Sequence, residues 1–345
     1  MEPAPALRRI AYLLEAEGAE TYRVRAFRRA AQVVAEADPG ELRALQAAGR
    51  LTALPGVGET TARAVAEALT LGSPSYLTAL EARLPAPLLG RPAAIRAGLL
   101  GDCHTHSDWS DGGSPIEEMA EAAISQGHQY MVLTDHSPRL TVARGLTAER
   151  LRRQLEVVAG LNARLAPFRI LTGIEVDILD DGALDQEPEL LAELDLVVAS
   201  VHSKLRMESP AMTARMVRAL ANPDADVLGH CTGRLLTGRA RPESAFDAEA
   251  VFAACRQGDK AVEINSRPER QDPPPGLLRR AVELGCLVSI DTDAHAPGQL
   301  EWLRQGSLQA AEAGVGDDQI INRWPWERLL SWTAAHSLAT PGERS

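Results

Sequence analysis

Lysine is nearly missing from this chain. The 345 residues hold two, Lys204 and Lys260, and residues 1–97 hold none. An imine with a carbonyl substrate needs an amine, so the first part of the chain offers no side chain for that chemistry. Aromatic residues make up 4% against 45% hydrophobic residues in all, so aliphatic side chains must fill the core. The four cysteines, Cys103, Cys231, Cys255 and Cys286, are scattered without a CxxC pair. They read as reduced packing residues, which points to a cytoplasmic location. No uncharged apolar run reaches the roughly 18 residues of a membrane span, and the start lacks a signal-peptide pattern; no membrane partner is expected. Charge is unevenly spread. The net charge is −11, with about +2 in residues 1–97 and −13 in the remainder. The acidic part alone is a poor match to nucleic acid; the N-terminal part is not repelled by it.

Against those absences stands a surplus of histidines in one setting. Asp102 to Gly112 reads DCHTHSDWSDG, with His104 and His106 two residues apart and Asp111 on the outgoing loop. On a strand, residues i and i+2 face the same way, so two imidazoles would project together where the strand ends. The same alternation turns Cys103 away into packing. His136, His202, His230 and His295 each close an apolar, β-branched run, in YMVLTDHS, LDLVVASVHS, VLGHCTGR and LVSIDTDAH. Glu175 closes ILTGIEVDI similarly, and Asp293 with His295 repeats the i, i+2 spacing. Chance does not readily place six imidazoles at strand ends. His128 and His336 lack the setting and read as ordinary residues. Imidazole and carboxylate donors without thiolate suit zinc, manganese or iron.

From Leu99 onward strands and helices alternate. Strands are predicted at 99–105, 130–135, 169–177, 195–201, 226–230, 260–265 and 286–292. Helices are predicted at 115–126, 147–165, 187–193, 210–221, 247–257, 276–284, 299–313 and 326–335. Such alternation predicts a parallel sheet with right-handed crossovers. Seven strands with ligand types at their C-terminal ends point to a (β/α)7 barrel, ahead of an open sheet, with its site on that face. The expected domain limits are a helical domain over 1–85, a Pro/Gly/Ala linker over 86–98 and the barrel over 99–338.

The N-terminal part carries helical apolar stripes, Leu7, Ile10, Ala11 and Leu14 first, then Tyr22 to Glu36 with Arg23, Arg25, Arg28 and Arg29, then Glu41 to Ala48. LTALPGVGETTARAVAEAL follows, with a tight turn at Pro55 to Gly58 and a helix from Glu59 or Thr60. Glycines let the backbone approach a phosphate, and the helix N-terminus offers N–H groups. This stretch resembles the helix-hairpin-helix DNA-binding motif, which implies phosphate contact without base readout at Leu54, Gly56, Val57, Gly58 and Thr60. Residues 4–85, through YRVRAFRRAAQVV, GRLTALPGVGETTA and GSPSYLTALEARLP, resemble the N-terminal domain of bacterial family X DNA polymerases. Relatives can use lysines there to form a Schiff base with an abasic sugar; this chain has none. Residues 86–98 also leave no room for a polymerase core.

HTHSDWSDG, TDHS, GIEVDIL, SVHS, GHCTGRLL and DTDAH match, in order and spacing over residues 100–335, the polymerase-and-histidinol-phosphatase (PHP) family. The variant most alike is the PHP domain at the C-terminus of bacterial family X polymerases. The resemblance implies two or three divalent transition metals and phosphoester hydrolysis. One metal would take His104, His106 and Asp293; a second would take His202 and His230, with Glu175 bridging; a third would take Asp111, His136 and His295. Asp111, His136, Glu175 and Arg234 are the expected catalytic residues, Arg234 as a phosphate contact. Asp135, Glu263 and Asn265 are outer candidates, Arg144, Lys204 and Arg206 read as solvated charges, and Trp109 could stack on a base. Three functions fit: a nuclease trimming DNA 3′ ends or incising damaged sites, a phosphatase of histidinol-phosphatase type, or a DNA-binding adaptor without catalysis. The intact ligand set opposes the last. Protein partners are not indicated.

Overall fold

The computed structural model describes residues 1–238 and 240–338. By contacts the chain divides into two compact units, Met1–Pro87 with Pro297–Gln299, and Leu88–Ala296 with Leu300–Ser345. Among the described residues no helix is long and apolar enough to cross a membrane.

The first unit is all helical. Helix α1 (Pro3–Ala16) buries the expected stripe of Leu7, Ile10, Ala11 and Leu14. It is followed by α2 (Thr21–Glu36), which buries Val24, Phe27, Ala30 and Val34 and leaves Arg25 and Arg29 exposed. Pro39 opens α3 (Pro39–Ala47), where the Asp38 carboxylate accepts hydrogen bonds from the Gly40 and Glu41 N–H groups at 2.9 Å. Aspartate as N-cap and proline at the first helical position are the favoured choices, because both meet helix ends whose N–H groups have no helical partner. A 3-10 turn, Leu51–Ala53, leads through Pro55-Gly56-Val57-Gly58 into α4 (Glu59–Leu71). Helix α5 (Ser75–Glu81) closes the unit, with Tyr76 stacked on Phe27 at 5.3 Å.

The second unit begins with a helix where a linker was expected. α6 (Gly90–Gly98) buries Ile95 completely among Ile264, Leu278 and Ile290. The composition of residues 86–98 concealed this, because only Ile95 and Leu99 carry the apolar contact. Seven strands follow in chain order: β1 (Gly101–Thr105), β2 (Tyr130–Leu133), β3 (Arg169–Asp177), β4 (Leu196–Ser200), β5 (Val227–Leu228), β6 (Ala261–Asn265) and β7 (Leu287–Asp291). Neighbours pair in parallel in the order β1 to β7. The last meets the first: Thr105 bridges Ala294, and the His106 N–H donates to the Ala294 carbonyl at 2.8 Å. The sheet is thus a nearly closed barrel. Helices α7 (Ile116–Ser125), α8 (Ala148–Leu165), α9 (Pro188–Leu191), α10 (Ser209–Leu220), α11 (Ala248–Gln257), α12 (Pro275–Glu283), α13 (Leu303–Ala313) and α14 (Trp326–Leu338) fill the crossovers and the end.

Strand β5 is only two residues long, shorter than predicted. A Cβ on Gly229 would stand 2.2 Å from the Ser200 Oγ. Only glycine allows this approach to β4, and the chain leaves the sheet there. The loops after β3 and β4 share a buried clamp. The Arg215 guanidinium, fully enclosed, donates to the carbonyls of Ile178, Leu179 and Ser203. It ties the stretch after Asp177 to the stretch after His202.

Candidate metal centre

The C-terminal ends of the strands deliver all nine predicted ligand residues to one place. His104 lies within β1 and His106 just beyond it, both fully buried. Glu175 lies in β3, and the loops after β2, β4, β5 and β7 bring His136, His202, His230, Asp293 and His295. Asp111 is the most open of the nine, with its side chain 39% exposed. The loop holding it is pinned by Asp135. That carboxylate accepts the Ser107 N–H at 2.8 Å, the Ser107 hydroxyl at 2.6 Å and the Gln154 amide at 2.6 Å. Asp135 therefore shapes the ligand loop.

Sorted by the expected metal assignment, the nine side chains give three donor groups, and the tightest clusters overlap them: His106 also lies with Asp111, His136 and His295, and His136 also lies with Glu175 and His202. In the first, the His104 Nε2 lies 3.3 Å from the Glu175 Oε2, and the His106 Nε2 lies 3.6 Å from the same oxygen and 3.3 Å from the Asp293 Oδ1. In the second, the other oxygen of Glu175, Oε1, lies 3.2 Å from the His202 Nε2 and 2.8 Å from the His230 Nε2. In the third, the Asp111 Oδ1 lies 3.3 Å from the His295 Nε2 and 3.6 Å from the His136 Nε2. Ligands about 2.1 Å from a shared cation in a tetrahedral array sit about 3.4 Å from one another. All but one of the spacings lie near that edge length; the His230 Nε2 and Glu175 Oε1 stand at a hydrogen-bond distance of 2.8 Å. Glu175 turns one oxygen to each of two groups.

Hydrogen bonding alone does not satisfy these atoms. The His104 Nε2, both ring nitrogens of His106, the His136 Nδ1, the His202 Nε2 and the Glu175 Oε2 are buried without a hydrogen-bond partner. Buried polar atoms are rarely left so. Donor sets of imidazole and carboxylate atoms pointing at common centres fit divalent transition metals. The charge distribution agrees. Burial would raise the Glu175 carboxyl, yet His202, His104 and His136 hold it well below the usual carboxylate range. Burial opposes Asp293 likewise, and Arg267, with His106, outweighs it. Burial pushes His106 well down, reinforced by His295 and His136, and lowers His230 to about 3. For His202 burial is overcome by Glu175 and Asp177, and the imidazole rises to about 9.

Outer partners fix the rings. The His104 Nδ1 lies 2.6 Å from the Glu263 Oε1, and the His202 Nδ1 lies 2.7 Å from the Asp177 Oδ1. The His295 Nδ1 lies 2.8 Å from the Asp293 carbonyl. In metal sites such contacts orient the ring and leave its other nitrogen for the metal. Glu263 and Asn265 were foreseen at the strand end, and Asn265 donates to the Asp293 Oδ2 at 3.3 Å. Asp177 was missed, although it stands two residues after Glu175 and thus on the same face of β3.

Sequence reasoning also missed two arginines of NSRPERQD. The Arg270 Nε donates to the Asp293 Oδ2 at 3.2 Å. The Arg267 Nη1 lies 3.6 Å from the Asp293 Oδ1 and 3.3 Å from the His295 Nδ1. Arg234, expected as the phosphate contact, is occupied elsewhere. It donates from Nε to the Arg270 carbonyl at 2.9 Å, from Nη2 to the Gln271 carbonyl and from Nη1 to Glu243. Trp109 packs half-buried on two aliphatic clusters. Arg144 binds the Asp108 and Ser110 carbonyls, and Lys204 pairs with Asp180 on the surface.

In the helical unit the turn keeps its expected shape with a different division of labour. Gly56 has φ +90°, a region L side chains seldom adopt. Val57 is buried and its N–H is spent on the Leu54 carbonyl at 3.1 Å. The Gly58 N–H is spent on the Thr61 Oγ1 at 2.9 Å. Val57 therefore anchors the turn, Leu54 is half-buried, and Gly56, Gly58 and Thr60 are exposed.

Comparison with known proteins agrees with this architecture. Residues 102–267 match the PHP domain, and residues 2–74 match a helix-hairpin-helix domain. The chain is 42% identical over 222 residues to "DNA polymerase/3'-5' exonuclease PolX" of Bacillus subtilis, covering 64% of this chain and 39% of that protein. It is 32% identical over 205 residues to a "Probable phosphatase" of Acetivibrio thermocellus, covering 56% of this chain and 78% of that one. A solved histidinol phosphate phosphatase from Lactococcus lactis aligns with a TM-score of 0.47 at 17% identity, over 63% of this chain and 94% of that one. The chain spans well under half of the Bacillus protein and most of the Acetivibrio one. It belongs to the PHP-domain phosphoesterases, here with an N-terminal helix-hairpin-helix domain.

Proposed function

We propose that this protein is a metal-dependent phosphoesterase that hydrolyses DNA phosphodiesters or 3′-phosphates at a centre of two or three divalent metals. The observation that carries the reading is the shared carboxylate: Glu175 faces two histidine groups with its two oxygens. Zinc, manganese and iron suit these donors. Bound divalent cations supply Lewis acidity at phosphoryl oxygens and lower the pKa of water. The protein's own residues do the rest. His104, His106, Glu175 and Asp293 would hold one position, Glu175, His202 and His230 a second, and Asp111, His136 and His295 a third, more open one. Arg267 and Arg270 lie against Asp293, where their guanidiniums can take phosphoryl oxygens and neutralise charge that develops there. The buried Arg270 Nη1 has no partner and is the donor best placed to do so.

The helix-hairpin-helix unit supports DNA as the substrate, bound through phosphates without sequence preference. A second reading is a phosphatase for a small metabolite. The net charge of about −13 in residues 98–345 favours it, because an acidic surface repels nucleic acid. A panel of phosphoesters tried on metal-replete full-length protein separates the two. Turnover of 3′-phosphorylated or nicked DNA is expected; turnover of a metabolite phosphate alone would select the phosphatase.

A further inference from the structure

We infer that Arg234 is a positioning residue for phosphate binding, acting through the backbone of Arg270 and Gln271. The inference rests on the phosphoesterase reading above and assigns a role to a side chain that does not reach the metal-ligand groups. Arg234 follows His230 by four residues in GHCTGRLL. Its guanidinium is 11% exposed and bonds to two successive carbonyls, those of Arg270 and Gln271, while its third contact is the Glu243 carboxylate. A planar fork of N–H groups suits two adjacent acceptors in a way a lysine ammonium does not.

The segment it grips needs fixing. Gln271 has φ +46°, a left-handed conformation that is strained for a non-glycine residue and persists only when its surroundings impose it. A second clamp lies one residue on. The buried Asp272 carboxylate accepts the Thr232 hydroxyl at 2.6 Å and the Thr232 N–H at 3.1 Å. Both clamps come from residues 232–234, directly after the ligand residue His230. What they hold in place is Arg270, bonded to Asp293 through Nε and carrying the unpartnered Nη1. Without Arg234 the carbonyls of 270 and 271 turn to water and the Arg270 side chain loses its fixed origin. Asp293 keeps its contacts with Arg267 and Asn265, and the other candidate ligands keep supports that Arg270 does not touch.

The test is a double-mutant cycle on metal-replete full-length protein, reading metal content, calorimetric binding of inorganic phosphate, and KM and kcat on a chromogenic phosphoester. Arg234→Gln is expected to weaken phosphate binding and raise KM about tenfold, the usual scale for losing an outer partner, with metal content unchanged. In an Arg270→Gln background the same change should add less than about twofold, because residues acting in one path are non-additive. Arg234→Lys, which keeps charge and bulk, should show the same loss; it also serves if the Gln variant fails to fold. Additive losses, loss of metal in step with phosphate, or wild-type phosphate binding in either variant would overturn the inference. A wild-type protein that hydrolyses no phosphoester would instead overturn the reading beneath it.

Discussion

The His136 Nδ1 and the Glu175 Oε2 lie 2.8 Å apart, both buried, in an orientation that makes no hydrogen bond. Two lone-pair atoms that close repel unless a positive charge lies between or beside them. His136 also offers Nε2 to Asp111. The ring stands between the group around Glu175 and the more open group around Asp111, so the two groups adjoin.

Asp293 joins the ligand set to the arginines. Asp293→Ala should remove at least one equivalent of metal and nearly all hydrolysis, since a ligand and the anchor of Arg267 and Arg270 go together. Elemental analysis and turnover on one preparation check it; full metal content with residual turnover near wild type would be inconsistent with the arrangement.

The two glycines of the Pro55–Gly58 turn should separate. A Cβ at Gly56 would meet the Arg29 Nε at 2.4 Å and impose a side chain at φ +90°. A Cβ at Gly58 meets nothing within 4 Å. Gly58→Ala should change the melting temperature less than the Gly56 change and lower affinity for DNA of any sequence, with the deficit shrinking as salt rises. Gly56→Ala should lower stability as well. Unchanged DNA affinity in both would remove the turn from substrate binding.

Removal of the helical unit should respect α6. A chain starting at residue 88 should keep hydrolysis of a small phosphoester and need more DNA for half-maximal cleavage. A chain starting at residue 99 loses Ile95, and Ile95→Ala alone should cost about 2–5 kcal/mol. Denaturant unfolding of the three forms decides; equal stability of the two truncated chains would restore the linker.

The metal-free protein should resist loading at low pH. His202 is held at about 9 against an ordinary 6.5. Its ion pairs with Glu175 and Asp177 stabilise the metal-free fold fully below about 6.5, and that contribution fades as pH rises through about 9. A cation needs the ring neutral, so apparent metal affinity should rise over the same window, with proton release on binding near pH 7. Calorimetry in buffers of different ionisation enthalpy measures it; no proton release would contradict the assignment of His202.

The candidate ligand residues were legible because strand alternation and an apolar run ending in a polar loop leave a pattern of period two. His104 with His106 and Asp293 with His295 each state their shared face in the sequence. Asp177 carried the same signal relative to Glu175 and could have been found by it. Arg267 and Arg270 could not, since their loop has no periodicity and only the fold brings it to Asp293. Arg234 showed the opposite failure: a charged residue beside a ligand motif looked like a substrate contact, and its carbonyl partners lie 36 and 37 residues away. The helix at Gly90–Gly98 was hidden by a composition rich in glycine, alanine and proline.

The shared carboxylate is tested most directly by metal content of the wild-type protein and Glu175→Gln, both purified without chelator. The wild type should hold two or three equivalents of transition metal. Glu175→Gln should hold about one, at Asp111, His136 and His295, because the two groups that meet on Glu175 lose their common ligand. A wild type free of metal, or a variant that keeps the full wild-type content, would contradict the account.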